Sequence, residues 1–157
     1  LATGFKFWEK GNFPAFDVVG CGGTELGEWW LENHYQAYQG ISIPGFPNLF
    51  NLPSPYSFTG LSYFFTIEGQ MKHIARCVGE MKKQGALEFD VSREANDDYM
   101  TIMRNRLRSS VFVNGNCVSS NSYYFNPHGE ASMLRPTPTP VALWDAGHFP
   151  LAHYHFQ

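Results

Sequence analysis

Between residues 61 and 83 the apolar side chains Leu61, Phe64, Phe65, Met71, Ile74, Ala75, Val78 and Met81 recur at helical spacing. No other stretch constrains the fold as strongly. The pattern predicts one amphipathic helix over 61–83 with its Phe and Ile face buried. Ahead of it, Pro53-Ser54-Pro55-Tyr56-Ser57 is a turn able to start a helix, with Ser57 or Thr59 as the expected N-cap. Lys82 and Lys83 fall in the last turn, where cations offset the negative end of the helix dipole, and Gly85 can take the left-handed cap.

Leu87-Glu88-Phe89-Asp90-Val91 alternates and reads as a short strand. Ser92 is then placed to cap a second helix, with Glu94, Asp97 and Asp98 near its positive end and Arg104, Arg106 and Arg108 near its negative end. Ala95, Tyr99, Ile102, Met103 and Leu107 form its apolar stripe. Phe46, Leu49, Phe50 and Leu52 suggest a short buried strand between Pro turns, and Val111-Phe112-Val113 a strand before the Asn114-Gly115 turn. Residues 1–5 read as a strand end running into a Gly turn. Residues 6–45 carry Gly, Pro and aromatic side chains without a period, as in an irregular segment pinned by rings, with one or two helical turns within 25–38. The stretch 117–157 is expected as a long irregular tail wrapping the rest. Periodicity by itself gives one mixed α and β domain.

Composition narrows the class. With 157 residues, 43% hydrophobic and 16% charged, the chain is globular and large enough for a core. Aromatic residues make up 17%, which suits either core packing or a pocket for a flat organic ligand. A net charge of −3 offers no basic footprint, so nucleic acid is not an expected partner. Cys21, Cys77 and Cys117 are too scattered for a disulfide framework or a CxxC site, which points to a reducing, cytoplasmic compartment. No apolar run approaches the roughly 18–20 residues of a membrane span, and no signal peptide is evident. The chain opens mid-motif on Leu1, as if cut from something longer.

Four segments say more than periodicity. Leu1-Ala2-Thr3-Gly4-Phe5 is followed by Tyr38-Gln39-Gly40 and Pro44-Gly45-Phe46-Pro47-Asn48-Leu49-Phe50. Ile67-Glu68-Gly69-Gln70 lies at the helix centre, and Ser122-Tyr123-Tyr124-Phe125-Asn126-Pro127-His128-Gly129-Glu130 with Leu134-Arg135-Pro136 lies in the tail. In order, they resemble the ATG, Y-x-G…PGFPNLF, IE-x-Q and C-terminal segments of class B flavoprotein monooxygenases, the family of Baeyer–Villiger and flavin-containing monooxygenases. The resemblance implies an α/β fold, the C-terminal piece of a flavoprotein with two dinucleotide-binding domains, one for FAD and one for NADPH. Residues 1–45 would end the NADPH-binding region and connect onward. Residues 46–91 would supply the closing strand and helix of the FAD-binding domain, and 92–157 a helix and the wrapping tail. The implied reaction is reduction of FAD by NADPH and transfer of one oxygen of O2 to the carbonyl carbon, sulfur or nitrogen of a small organic substrate. Both pyrophosphate-binding Gly-rich turns would belong to a missing N-terminal half, the expected partner, because no G-x-G-x-x-G occurs here. Alone, the chain is expected to be inactive and colourless. The competing reading is a non-catalytic remnant that binds a flat ligand or partner through its aromatics.

Within that frame, Thr3 and Gly4 either line the cleft between the two cofactors or only pack as a strand-end turn. Pro53, Ser54, Pro55, Gly60 and Leu61 are expected beside the flavin, since a loop feeding a helix N-terminus offers N–H donors. Ser54-Pro55 stands where the family often has Gly-Pro. Leu61, Tyr63 and Phe64 are candidates for the substrate pocket, although their spacing also suits a core. His148, His153 and His155 lack a carboxylate or Cys at ligand spacing, so no metal is expected. A Cys117–His128 nucleophile pair and phosphate binding by Arg104, Arg106 and Arg108 are both disfavoured, the latter because helix C-termini attract Arg in any case.

Overall fold

The long helix forms without a break at Gly69. In the computed structural model, which describes residues 6–9, 11–115 and 122–157, it runs over Tyr63–Gln84 (α2). Gly85 closes it at φ 68° in the left-handed region, its N–H donating to the Lys82 carbonyl at 3.3 Å. The start differs from expectation: Ser62, rather than Ser57 or Thr59, is the N-cap, and no side chain caps the first turn.

The buried face differs too. Thr66, Gly69, Gln70, His73 and Cys77 point inward, while Phe64 is 77% and Leu61 69% exposed, with Phe65 and Met71 also outward. Only Ile74, Val78 and Met81 of the expected face are half-buried. The cause is the helix Thr139–His148 (α5), which packs along α2. A Cβ at Gly69 would meet Leu143 Cδ2 at 3.2 Å and Ala146 Cβ at 3.8 Å, so close approach selects the small and polar side of α2. That helix was itself unanticipated, because its Pro-rich start reads as a breaker. Pro140 occupies the first helical turn, where its missing N–H removes nothing.

Ser92 caps Arg93–Leu107 (α3) as expected, its hydroxyl accepting the Ala95 N–H at 3.2 Å. Ala95, Tyr99, Met103 and Leu107 of the expected stripe are buried, Met100 joins them, and Ile102 is exposed. Phe89–Val91 (β1) pairs antiparallel with Tyr154–Phe156 (β2), in register Phe89↔Phe156, Asp90↔His155 and Val91↔Tyr154. The tail is therefore less irregular than its composition suggests, since its end completes the sheet. Two expected strands are absent. Residues 46–52 are turns in which the Leu49 N–H returns to the Phe46 carbonyl, and Asn48 instead bonds both N–H and C=O groups of the segment around Phe89. Val111–Asn114 (α4) is a helical turn following the short helix Leu26–Asn33 (α1) and the longer ones in chain order, closed by Val113 and Asn114 N–H groups on the Ser110 carbonyl.

Among the described residues the architecture is thus mixed, mainly helical, with one small two-stranded sheet. Its larger core joins Tyr38, Tyr56, Cys77, Tyr99, Met103, Phe149 and Tyr154. A second core is built of rings: Trp8, Phe13, Trp29, Trp30 and Tyr35, with Phe13 stacked on Trp30 at 5.0 Å. α1 belongs to it, capped by the Glu25 carboxylate, which accepts the Gly27 and Glu28 N–H groups.

Candidate functional site

The turn that leads into α2 is held from two sides. On one, the Tyr56 and Phe58 N–H groups donate to the Ser132 and Met133 carbonyls at 2.6 and 3.2 Å, and the Arg135 N–H donates to the Phe58 carbonyl at 2.7 Å. On the other, Gly40 passes so near that a Cβ there would lie 2.6 Å from Ser57 Cα. Gly40 also sits at φ 70°, so both conformation and clearance require glycine. The segments Tyr38-Gln39-Gly40, 53–61 and Leu134-Arg135-Pro136 thereby form one unit.

The 53–61 segment of this unit forms one side of a cleft of about 280 Å³. Pro53, Ser54 and Tyr63 line it from the turn and the start of α2. Phe7, Trp8 and Phe13 face them from the ring core, and Tyr123 and Tyr124 from the tail. Trp8 Nε1 donates to the Tyr123 carbonyl at 2.8 Å, fastening the two aromatic walls together. The cleft is apolar with few polar groups, the usual character of a site for a flat organic molecule. The Ser54 hydroxyl at its edge is buried without a partner.

Of the expected site residues, Pro53, Ser54 and Tyr63 meet at this cleft. Pro55 is fully buried behind it. Gly60 is exposed at φ 85° with open space about it. Leu61 and Phe64 project to solvent and do not line the cleft. Thr3, Gly4 and Cys117 lie outside the described residues. Trp8, Phe13, Tyr124 and Met133 were not singled out beforehand; the aromatic density of the first 45 residues was the available signal.

The histidines of the tail do not converge. His153 Nδ1 is 2.7 Å from the Tyr38 hydroxyl, whereas His148 Nδ1 bonds the Trp144 carbonyl at 2.7 Å. Among the described residues no group of three His, Cys, Asp or Glu is arranged to hold a metal. His128 stacks near His34, with ring centroids 4.3 Å apart. Arg106 donates to Thr137 Oγ1 at 3.1 Å and Arg104 lies 4.0 Å from Glu130, so both have structural partners.

Below the cleft a buried polar cluster joins α2, α5 and the tail. His73 Nε2 is 2.6 Å from the Tyr154 hydroxyl, which donates to Ser42 Oγ at 2.8 Å. Burial, reinforced by Arg76 and Arg135, pushes the His73 imidazole down to about 3, and burial pushes the Cys77 thiol up to about 12. Both are neutral at ordinary pH. Arg135 donates to Gln39 Oε1 at 2.8 Å and to Asp145 Oδ2 at 3.0 Å, a buried charge with two acceptors.

No protein-family model matches the chain. Individual proteins do. A Baeyer–Villiger monooxygenase of Pseudomonas aeruginosa is 30% identical over 130 residues, covering 81% of this chain and 24% of that protein. The fold superposes on an oxidised steroid monooxygenase bound to NADP with TM-score 0.75 and 26% identity, over 94% of this chain and 27% of that one. In sequence and fold the chain is similar to part of the Baeyer–Villiger-type monooxygenases. A cyclohexanone monooxygenase from Rhodococcus sp. Phi1 bound to NADP+ shares the fold with TM-score 0.72 at 18% identity, over 94% of this chain and 28% of that one. The chain spans about a quarter of the length of the curated relatives it matches. Among the described residues no helix is long and apolar enough to cross a membrane.

Proposed function

We propose that the whole protein uses FAD and NADPH to insert one oxygen atom of O2 into a small ketone, or to add it to sulfur or nitrogen. The flavin supplies the redox and oxygen-transfer chemistry when bound. The observation that carries this reading is the uncapped start of α2 beside an aromatic cleft. The free N–H groups of that first turn offer donors and a positive dipole end to a carbonyl edge of a planar ring. The rings of Trp8, Tyr63 and Tyr124 offer flat apolar walls that exclude water. Pro53, Ser54, Pro55, Gly60 and Leu61 are assigned to the cofactor side. Leu61, Tyr63 and Phe64 are assigned to the substrate side, with Thr3 and Gly4 lining the cleft between the two cofactors.

In this reading residues 1–45 close the NADPH-binding region, 46–91 complete the FAD-binding domain and 92–157 wrap both. The outward row of Leu61, Phe64 and Phe65 then meets the N-terminal half, which brings both pyrophosphate cradles and the second dinucleotide-binding domain. The unpaired Cys21 and buried Cys77 suit a reducing cytoplasm.

The test is purification of the full-length protein with its flavin spectrum, followed by NADPH oxidation in the presence of cyclic ketones and thioethers. Incorporation of one atom from labelled O2 into the product is expected. Full-length protein that folds but neither binds flavin nor oxidises NADPH would leave a binding module as the better account.

A further inference from the structure

Between α2 and α5 lies a chamber of about 20 Å³, which is the space that one water molecule needs. Its lining includes Ser57, Gln70, His73 and Arg135, all more than nine-tenths buried. Each carries a polar atom without a hydrogen-bond partner: the Ser57 hydroxyl, Gln70 Oε1, His73 Nδ1 and Arg135 Nε. Buried polar atoms left unpaired are destabilising and rare, and four residues around one small cleft carry such an atom.

The remaining atoms of these groups fix what the occupant must offer. Gln70 Nε2 donates to the Gly40 carbonyl at 3.0 Å, which leaves Oε1 as an acceptor. The Tyr154 hydroxyl spends its proton on Ser42 Oγ, so it accepts from His73 Nε2–H and leaves Nδ1 as a lone-pair acceptor. The neutral state of the buried imidazole agrees with that tautomer. The Arg135 Nη groups are taken by Gln39 and Asp145, which leaves Nε–H as a donor. The chamber therefore presents two acceptors, one donor, and one hydroxyl able to act as either.

We propose that the chamber is a specific site for one fixed water molecule, donating to Gln70 Oε1 and His73 Nδ1 and accepting from Arg135 Nε and the Ser57 hydroxyl. Water matches this set with two donors and two acceptors. A carboxylate or phosphate has too large a volume, and ammonium would face the Arg135 charge without a lone pair to accept the Arg135 Nε–H. The water joins the turn at Ser57, helix α2 and the tail at Arg135, three segments with no direct side-chain bond among Ser57, Gln70 and His73. It thus fixes the turn ahead of α2 whatever reaction the protein performs.

A high-resolution crystal structure of the full-length protein, with nitrogen NMR on labelled histidine, tests the assignment. An ordered water within hydrogen-bond distance of His73 Nδ1 and Gln70 Oε1, and a neutral His73 protonated at Nε2, are the expected results. A chamber closed by a rotated Gln70, or a His73 protonated at Nδ1, overturns it. Ser57→Ala and Gln70→Met give a second measure. Through a shared water, the second substitution should change the unfolding equilibrium by a smaller factor in the presence of the first. Full additivity would sink the proposal, and the wild-type structure decides if either variant fails to fold.

Discussion

Gly69 of α2 and Leu143 of α5 touch so closely that a Cβ on the glycine would lie 3.2 Å from Leu143 Cδ2. The atom met is the tip of a flexible side chain, and Gly69 has no positive φ to strain a substituent. Gly69→Ala should accordingly be near neutral, since about 1 kcal/mol of helix propensity offsets the displacement of Leu143. Gly69→Leu adds bulk that the interface cannot clear, and should destabilise by about 1–3 kcal/mol. Denaturant midpoints of the two variants check the contrast; equal losses would mean that α2 and α5 do not pack there.

His73 gives the chain an acid limit. Its imidazole is neutral in the folded protein, held down to about 3 chiefly by burial and then by Arg76 and Arg135. In the unfolded chain it titrates near the ordinary value of about 6.5. Between those values the unfolded state binds the extra proton, so the stabilising contribution is complete above about pH 6.5 and is lost as pH falls toward 3. The limiting slope is about 1.4 kcal/mol per pH unit for one group. Urea midpoints measured from pH 7 down to pH 4 should fall faster in wild type than in His73→Gln. Parallel curves would place the acid sensitivity elsewhere.

Two glycines with similar backbone angles separate strain from clash. Gly40 at φ 70° has Ser57 Cα and the Tyr56 carbonyl in the path of any Cβ, at 2.6 and 2.7 Å, whereas Gly129 at φ 75° has nothing within 4 Å. Gly129→Ala should cost about 1–2 kcal/mol from the left-handed conformation alone. Gly40→Ala should cost clearly more and loosen the turn that carries Pro53 and Ser54. Thermal midpoints, with proteolysis rates at residues 53–61, distinguish the two.

What could be read in advance was what short-range chemistry determines. The Gly85 cap and the Ser92 cap depend on residues within one turn, and both helices end and begin there as expected. The inward side of α2 depends instead on α5, more than seventy residues away from Gly69, and close approach favoured Gly and Gln over Phe. Pro138 and Pro140 hid α5 because a proline-rich stretch suits a loop as well as a first helical turn. Val111-Phe112-Val113 has strand propensity, yet the Val113 and Asn114 N–H groups turn back onto the Ser110 carbonyl. At the candidate site, a turn leading into a helix singled out Pro53 and Ser54, which line the cleft, together with Gly60 and Leu61, which do not. The opposite wall was not foreseeable in this way: Trp8 meets Tyr123 across 115 residues of sequence.

The sharpest functional expectation concerns Gly60 and Phe64 in the full-length protein. Gly60 holds φ 85° one residue before Leu61, in open space. Valine there meets no neighbour, but a β-branched side chain is strained at that angle, so the turn must relax and move the start of α2. If the first-turn N–H groups orient the flavin, Gly60→Val should raise hydrogen peroxide release relative to oxygenated product while flavin remains bound. Phe64 is 77% exposed in this chain, so Phe64→Ala should leave the local fold intact. If its ring borders the substrate space once the rest of the protein is present, the variant should change the range of ketones accepted more than the rate with the best one. Coupling ratios and a substrate panel read the two effects separately. Wild-type coupling and wild-type range in both folded, flavin-loaded variants would remove residues 60–64 from the active site and leave the exposed row as a packing surface alone.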